Sequence, residues 1–381
     1  MLLELKFVQP DIIFTNLMQI TGKIWRRRCI KACILLTLIL VIRIFSAFPV
    51  WVEVWYSTRV YHIFSAIFRL MLGWLPFSAG DILYLLVIVW FVRKVWRFSA
   101  RLVRRQLNGQ WLKNAAFQVL MIGIWVYIVF NILWGINYNR EPLAKQMQIS
   151  ASRADTVYLK TIDSLLLIRV NESKRYLVQH RATYPSNADL FSRAAECYHQ
   201  ASSVYPFLVY KNRSVKRSMF GLFGNYFGFT GYYNPFTGES QVNTRIPRFI
   251  LPYTTTHEIA HQLGYAKEEE ANFAGYLAAT TSTDTLFHYS AYLDLFVYAN
   301  RQLFFLDSVA ARARANQLDT TVKMDIAEWN AFLRKHKNPL EPLIRWAYGN
   351  YLRANQQPKG MTSYDEVIAD LIAFYKKYGR I

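Results

Sequence analysis

The sequence predicts a mostly α-helical protein with one small β-hairpin, an α+β fold in two parts: helices that cross a membrane, then a helical domain outside it. Three observations predict this. Before Asn137 the chain is built from apolar runs bounded by Lys and Arg. After Asn137 ordinary polarity returns, and apolar residues recur at three-to-four spacing. Within that half one segment, residues 218–244, is too rich in Gly and aromatics to continue as helix.

The membrane part is residues 1–136, with spans expected at about 30–48, 82–95 and 115–134. Past Lys31 at its mouth, the first (IKACILLTLILVIRIFSAF) carries one charge, Arg43, near enough to an end for its side chain to reach the interface. The second (ILYLLVIVWFVRKV) is short against the roughly 20 residues a helix needs to cross, so it needs a few residues more at its start. The third (AAFQVLMIGIWVYIVFNILW) is uncharged and has aromatic residues at its ends. Residues 49–81 include the amphipathic VYHIFSAIFRLMLGWL, which reads as an interfacial segment. The polar start before Lys23, and the lack of a small-x-small site after Phe48, argue against a cleaved signal peptide.

Charge supplies the orientation. The net charge of +20 suggests a nucleic-acid partner until its distribution is read. Residues 1–136 carry 16 Lys/Arg against 4 Asp/Glu, while residues 137–381 carry 29 against 21. The first excess lies in two acid-free clusters, Lys23 to Lys31 and Arg93 to Lys113, each flanking an apolar run. That is the pattern of cytoplasmic flanks. It excludes nucleic acid, makes the lipid bilayer a partner, and puts residues 137–381 outside the cytoplasm. Cys29, Cys33 and Cys197 form neither a disulfide framework nor a CxxC knuckle.

In the second half, residues 156–180, 188–203, 290–315, 321–335 and 363–378 have helical periodicity. The hairpin is expected from strands 229–233 and 239–244, joined by the turn chemistry of NPFTG.

The chemistry concentrates in HEIAHQLGYAKEEEANFAGY, His257 to Tyr276. On a helix, His257 and His261 lie one turn apart on one face, so both imidazoles reach one metal ion, with Glu258 beside a bound water. Gly264 suits the end of that helix, and a second helix starting near Lys267 brings back three glutamates. Catalytic zinc takes three protein ligands and a water. Glu268 is the preferred third ligand because Asn272 gives it a polar companion at i+4; Glu270 stands second.

HExxH followed by ExxAN resembles the gluzincin metallopeptidases, and locally the membrane proteases of the CAAX-prenyl-protease and heat-shock group, whose third ligand opens ExxAD. Glu268 matches that ligand; Asn272 stands where the group has Asp, and the segment between His261 and Glu268 is shorter. More of the chain, GYYNPFTGESQVN with HEIAHQLG and EANF behind membrane helices, is similar to a bacterial domain-of-unknown-function family regarded as zinc peptidases. The resemblance implies a zincin-like metallopeptidase domain over residues 137–381, Zn2+ as cofactor, and a multi-pass protein of the bacterial inner membrane with a cytoplasmic N-terminus and a periplasmic catalytic domain.

The expected activity is hydrolysis of a peptide or protein substrate, with His257, His261 and Glu268 holding zinc and Glu258 as general base. Tyr289, or else His288, is a candidate to stabilise the oxyanion. Gln241 and Asn243, on the second strand of the hairpin, are candidates to contact an extended substrate. A zinc amidase acting on cell-wall peptides and a catalytically silent membrane scaffold are the competing readings.

Overall fold

The computed structural model describes residues 10–149, 156–360 and 366–381, with side chains from Trp25 onward. The N-terminal part contains α1 (Pro10–Ser46), a short α2 (Pro49–Trp51), a π-helical stretch (Val52–Val60), α3 (Tyr61–Leu72), α4 (Ala79–Val103) and α5 (Gly109–Leu133). Ser78 caps α4 by accepting from the Asp81 N–H, and Asn108 caps α5 by accepting from the Trp111 N–H.

Two helical segments are long and apolar enough to cross a membrane, Trp25–Ser46 of α1 and Gly109–Leu133, which is α5. They pack together through Leu35, Ile42 and Ile128. The middle span expected at 82–95 falls in α4, which is of a different kind. Asp81 and Arg93 leave only residues 82–92 uncharged between them. At 1.5 Å per residue those cover about 16 Å, roughly half the hydrocarbon thickness. Yet every residue of α4 from Leu85 to Ser99 is exposed, on all sides.

The second part runs α6 (Leu143–Gln146), α7 (Thr156–Gln179), α8 (Asn187–Ser202), β1 (Val215–Arg217), α9 (Gly221–Phe227), β2 (Gly231–Asn234), β3 (Glu239–Val242), α10 (Leu251–Gln262), α11 (Glu268–Thr281), α12 (Thr285–Leu306), α13 (Ser308–Asn316), α14 (Thr320–His336), α15 (Glu341–Ala354) and α16 (Val367–Tyr378). The one helix expected over 290–315 is two. Asp307 ends α12 and turns its carboxylate to the Ala310 N–H, capping α13. The core is helix on helix: Leu159, Ile162 and Leu166 of α7, Leu295, Ala299 and Leu303 of α12, and Leu371 and Phe374 of α16 are buried in one cluster.

The hairpin forms as β2 against β3, with Tyr232 opposite Gln241 and Gly238 at φ +65° in the turn. A third strand joins it that the expected hairpin lacked: β1 runs parallel to β3, in the order β1-β3-β2. All four residues of the central β3 are buried although three are polar. Each has a partner. Glu239 accepts from the Ala79 and Gly80 N–H groups at the start of α4, the Ser240 hydroxyl donates to the Glu258 carbonyl, and the Gln241 amide meets the Ser78 hydroxyl at 2.8 Å.

Packing runs straight across residue 137. Tyr61, Ser65 and Arg69 of α3 all donate to the Gln262 carbonyl at the end of α10. Arg140 pairs through two bonds with Glu53 of the π-helical stretch, and its guanidinium lies over the Tyr265 ring. The segment between the two long apolar helices therefore buttresses the helix that carries HExxH.

Candidate metal centre

Helix α10 begins with Pro252 in its first turn, where a missing N–H costs nothing. It ends at Gly264, whose φ of +86° closes the last turn; a β-carbon there would press on the Tyr61 ring and the Asn137 side chain. Every residue of α10 is buried, including His257, Glu258 and His261. Such a helix keeps its polar groups inside only if each is used.

Helix α11 starts at Glu268, whose N–H donates to the Gln357 side chain. It crosses α10 closely because Gly275 has no side chain: a β-carbon would lie 3.0 Å from the His257 backbone nitrogen. That approach brings Glu268 to the two histidines. Its Oε2 lies 3.3 Å from His257 Nε2 and 3.6 Å from His261 Nε2. The two rings are 4.8 Å apart and nearly perpendicular. Among the described residues, His257, His261 and Glu268 are the group whose donor atoms lie together closely enough to hold a metal ion.

The far nitrogens fix the tautomers. His257 Nδ1 is 2.7 Å from Asn272 Oδ1, and His261 Nδ1 is 2.7 Å from the Tyr265 carbonyl. Both partners only accept, so each Nδ1 carries the proton and each Nε2 lone pair faces Glu268. Asn272 thus orients His257 rather than Glu268, the companion expected from its spacing. The partner of Glu268 is Tyr348 of α15, whose hydroxyl donates to Oε1 at 2.9 Å. From the apolar helices, Trp134, one residue past α5, donates to the His261 carbonyl at 3.3 Å and sets its ring edge-on to the imidazole.

Burial pushes the Glu268 carboxyl up, but the His257 and His261 rings beside it outweigh burial and hold the group well below the usual carboxylate range. Burial likewise works against the His261 imidazolium, while Glu268 and Glu258 pull its pKa up. Glu258 is 3% exposed. Burial raises its carboxyl to about 7, the two imidazoles opposing and Glu268 adding to the shift. Gly231 of β2 lies directly against this carboxylate, and a β-carbon there would displace it.

The donor set fits a zinc ion. Two imidazoles and a carboxylate are a known catalytic combination, and atoms 2.0–2.1 Å from a tetrahedral ion sit about 3.3 Å apart. One oxygen each of Glu258 and Glu268 is buried without a hydrogen-bond partner, as expected where a cation and its water complete the site.

Other expected residues lie elsewhere. The Glu270 carboxylate accepts from the Leu143 N–H and is outside the cluster. The Tyr289 hydroxyl is engaged by Asp325, and His288 Nε2 meets the Ser282 carbonyl. Gln241 and Asn243 are fully buried; Asn243 donates to Asn225 and the Phe229 carbonyl and accepts from the Arg245 N–H. Neither side chain is open to a substrate. The aromatic contribution to the site comes instead from Tyr348 and Trp134, distant in sequence and marked by no motif. Gly231 had a signal, a glycine inside a strand, which often marks close approach of another group.

The family model described as "Protein of unknown function (DUF3810)" matches residues 56–372, most of the chain. The match takes in α3 to α5, the sheet and both helices of the metal centre. No curated protein and no solved structure gave a match.

Proposed function

The chain belongs to the DUF3810 family, and we propose that it is a membrane-anchored, zinc-dependent metallopeptidase. One observation carries the reading: the Nε2 atoms of His257 and His261 and an oxygen of Glu268 converge in a buried site, and both distal ring nitrogens are already committed to acceptors. Zinc bound there supplies Lewis acidity, polarising a carbonyl and bringing the pKa of water to about 7.

Glu258 takes the proton from the attacking water and returns it to the leaving amine. Burial, which raises this carboxyl, favours its holding the proton between the two steps. Gly231 preserves the room its carboxylate needs. Asn272 and the Tyr265 carbonyl hold the imidazoles in the tautomer that presents Nε2. Tyr348 brings a phenol hydroxyl to the ligands, and in this reading it turns its one proton from Glu268 to the developing oxyanion, the part expected of Tyr289. The inner membrane is the compartment that goes with the apolar helices and the basic flanks.

Metal content tests the reading. The full chain in detergent is expected to carry about one zinc per molecule by elemental analysis. Glu270→Ala should keep it and Glu268→Ala should lose it. A Glu268→Ala protein as rich in zinc as the parent, or a parent with none, would refute the assignment.

A further inference from the structure

Helix α9 is built inside out. Its inward face is Gly221, Gly224 and Asn225, and its outward face is Leu222, Phe223, Tyr226 and Phe227. With Met219 just before it, those outward side chains are between 44% and 57% exposed. The glycines explain the inner face: a β-carbon on Gly224 would collide with the Phe229 ring, so only the smallest residue fits. Nothing in the packing explains the outer face. A soluble monomer rarely shows contiguous large apolar side chains to water.

Three features of the structure say what covers it. The patch continues into the apolar N-terminal helices: the Met219 N–H donates to Asp81 in the first turn of α4, whose apolar surface is exposed all round. It also continues into α15: Asn338 donates to the Tyr226 carbonyl, and Leu340, Leu343 and Trp346 beyond it are exposed. Finally, basic residues border it: exposed Arg217 stands two residues before Met219, and the exposed Arg245 side chain reaches Gly221 of α9. Apolar and aromatic residues beside Lys and Arg are the composition of a segment that lies in a lipid interface and favours anionic headgroups.

We propose that α9, with the exposed start of α15, inserts into the surface of an anionic phospholipid leaflet. The metal centre then opens at the bilayer surface. The same two elements border it, since α9 leads into β2, which sets Gly231 against Glu258, and α15 supplies Tyr348. This holds whatever reaction the centre performs.

The test is spectroscopic and independent of activity. In a full chain carrying Cys29→Ser, Cys33→Ser and Cys197→Ala, Phe223→Cys is labelled with an environment-sensitive fluorophore. Leu222→Cys serves as a second position, and Val309→Cys, an exposed apolar site on α13, as reference. Each is reconstituted in vesicles of phosphatidylethanolamine and phosphatidylglycerol containing lipids spin-labelled near the headgroup. Labels at 222 and 223 should shift to the blue and be quenched several-fold more than the label at 309, and less so in phosphatidylcholine alone. Equal quenching at all three positions overturns the proposal. So does a blue shift already present in detergent that accompanies a dimer in sedimentation, which would make a second copy of this chain the occupant.

Discussion

Helices α10 and α11 hide almost everything they have, polar residues included, while α4 shows apolar side chains all round from Leu85 to Val92 and α9 shows them on its outer face. Both regions break the usual rule of apolar inside and polar outside, in opposite directions, and β2 touches both: Tyr232 donates to Asp81 of α4, and Gly231 lies against Glu258 of α10. The difference teaches where each region's partner is. Polar groups tolerate burial in α10 and α11 because imidazole, carboxylate, amide and carbonyl are matched to one another around a cation-sized gap. On the proposed insertion, the exposed apolar groups of α4 and α9 meet lipid rather than water.

The sharpest way to break this comparison is to remove one buried charge without removing a ligand. Glu258→Gln should lower peptide hydrolysis by about 10²–10⁴-fold, the usual contribution of a general base, and leave zinc content unchanged. A variant as active as the parent would show that the buried acid is not the base. A smaller effect should follow from loosening a ligand's support. Asn272→Ala leaves all three donors in place but frees the His257 ring to turn. Zinc affinity should fall by about 10–100-fold, read by competition with a chelator; an unchanged affinity would mean that helix packing alone aims the ring.

The smallest effect concerns a buried acid away from the centre. Asp163 of α7 is fully buried, and Arg314 comes no nearer than 4.0 Å. Burial raises its carboxyl from 3.8 to about 6, with Asn300 and Arg314 opposing only in part. A raised carboxyl binds its proton more tightly in the folded state. Its stabilising share is thus present below pH 3.8 and is lost as pH climbs through about 6. Asp163→Asn should therefore raise stability at pH 8, by on the order of 1–2 kcal/mol, and the gain should vanish near pH 4. That is below the about 3 kcal/mol the pKa difference allows, since the amide is itself a buried polar group. Denaturant unfolding at the two pH values reads the difference, and equal stabilities at pH 8 would show that Asp163 is adequately paired.

Much of this was legible in the sequence where the signal is local. Turn chemistry announced the hairpin, helical spacing announced α7, α8, α14 and α16, and Gly264 announced the end of α10 at its positive φ. The proximity of Glu268 to the histidines followed from one turn of helix and a short return. What could not be read depends on contacts between distant residues. The pairing of β1 with β3 joins residue 215 to residue 240, with no pattern in a three-residue strand to betray it. Tyr348 reaches Glu268 across eighty residues. Asn272 was noticed for the right reason, a polar group at the right height on α11, but it turns toward the other helix. Gln241 and Asn243 are expected to be available because a strand with a free edge can take an extended substrate, but β1 fills that edge, while Ser240 meets α10 and Gln241 meets Ser78 at the start of α4.

The acceptors of the two Nδ1 protons have a further consequence. One is a side chain on α11 and the other a carbonyl in the short link from α10, so the cup is shaped by the polypeptide before any ion arrives. A receptacle preformed in this way does not lean on its occupant for its form. On the proposed zinc reading, chelation and reloading exchange the contents while the architecture stands, so scarcity of the ion idles the molecule rather than dismantling it.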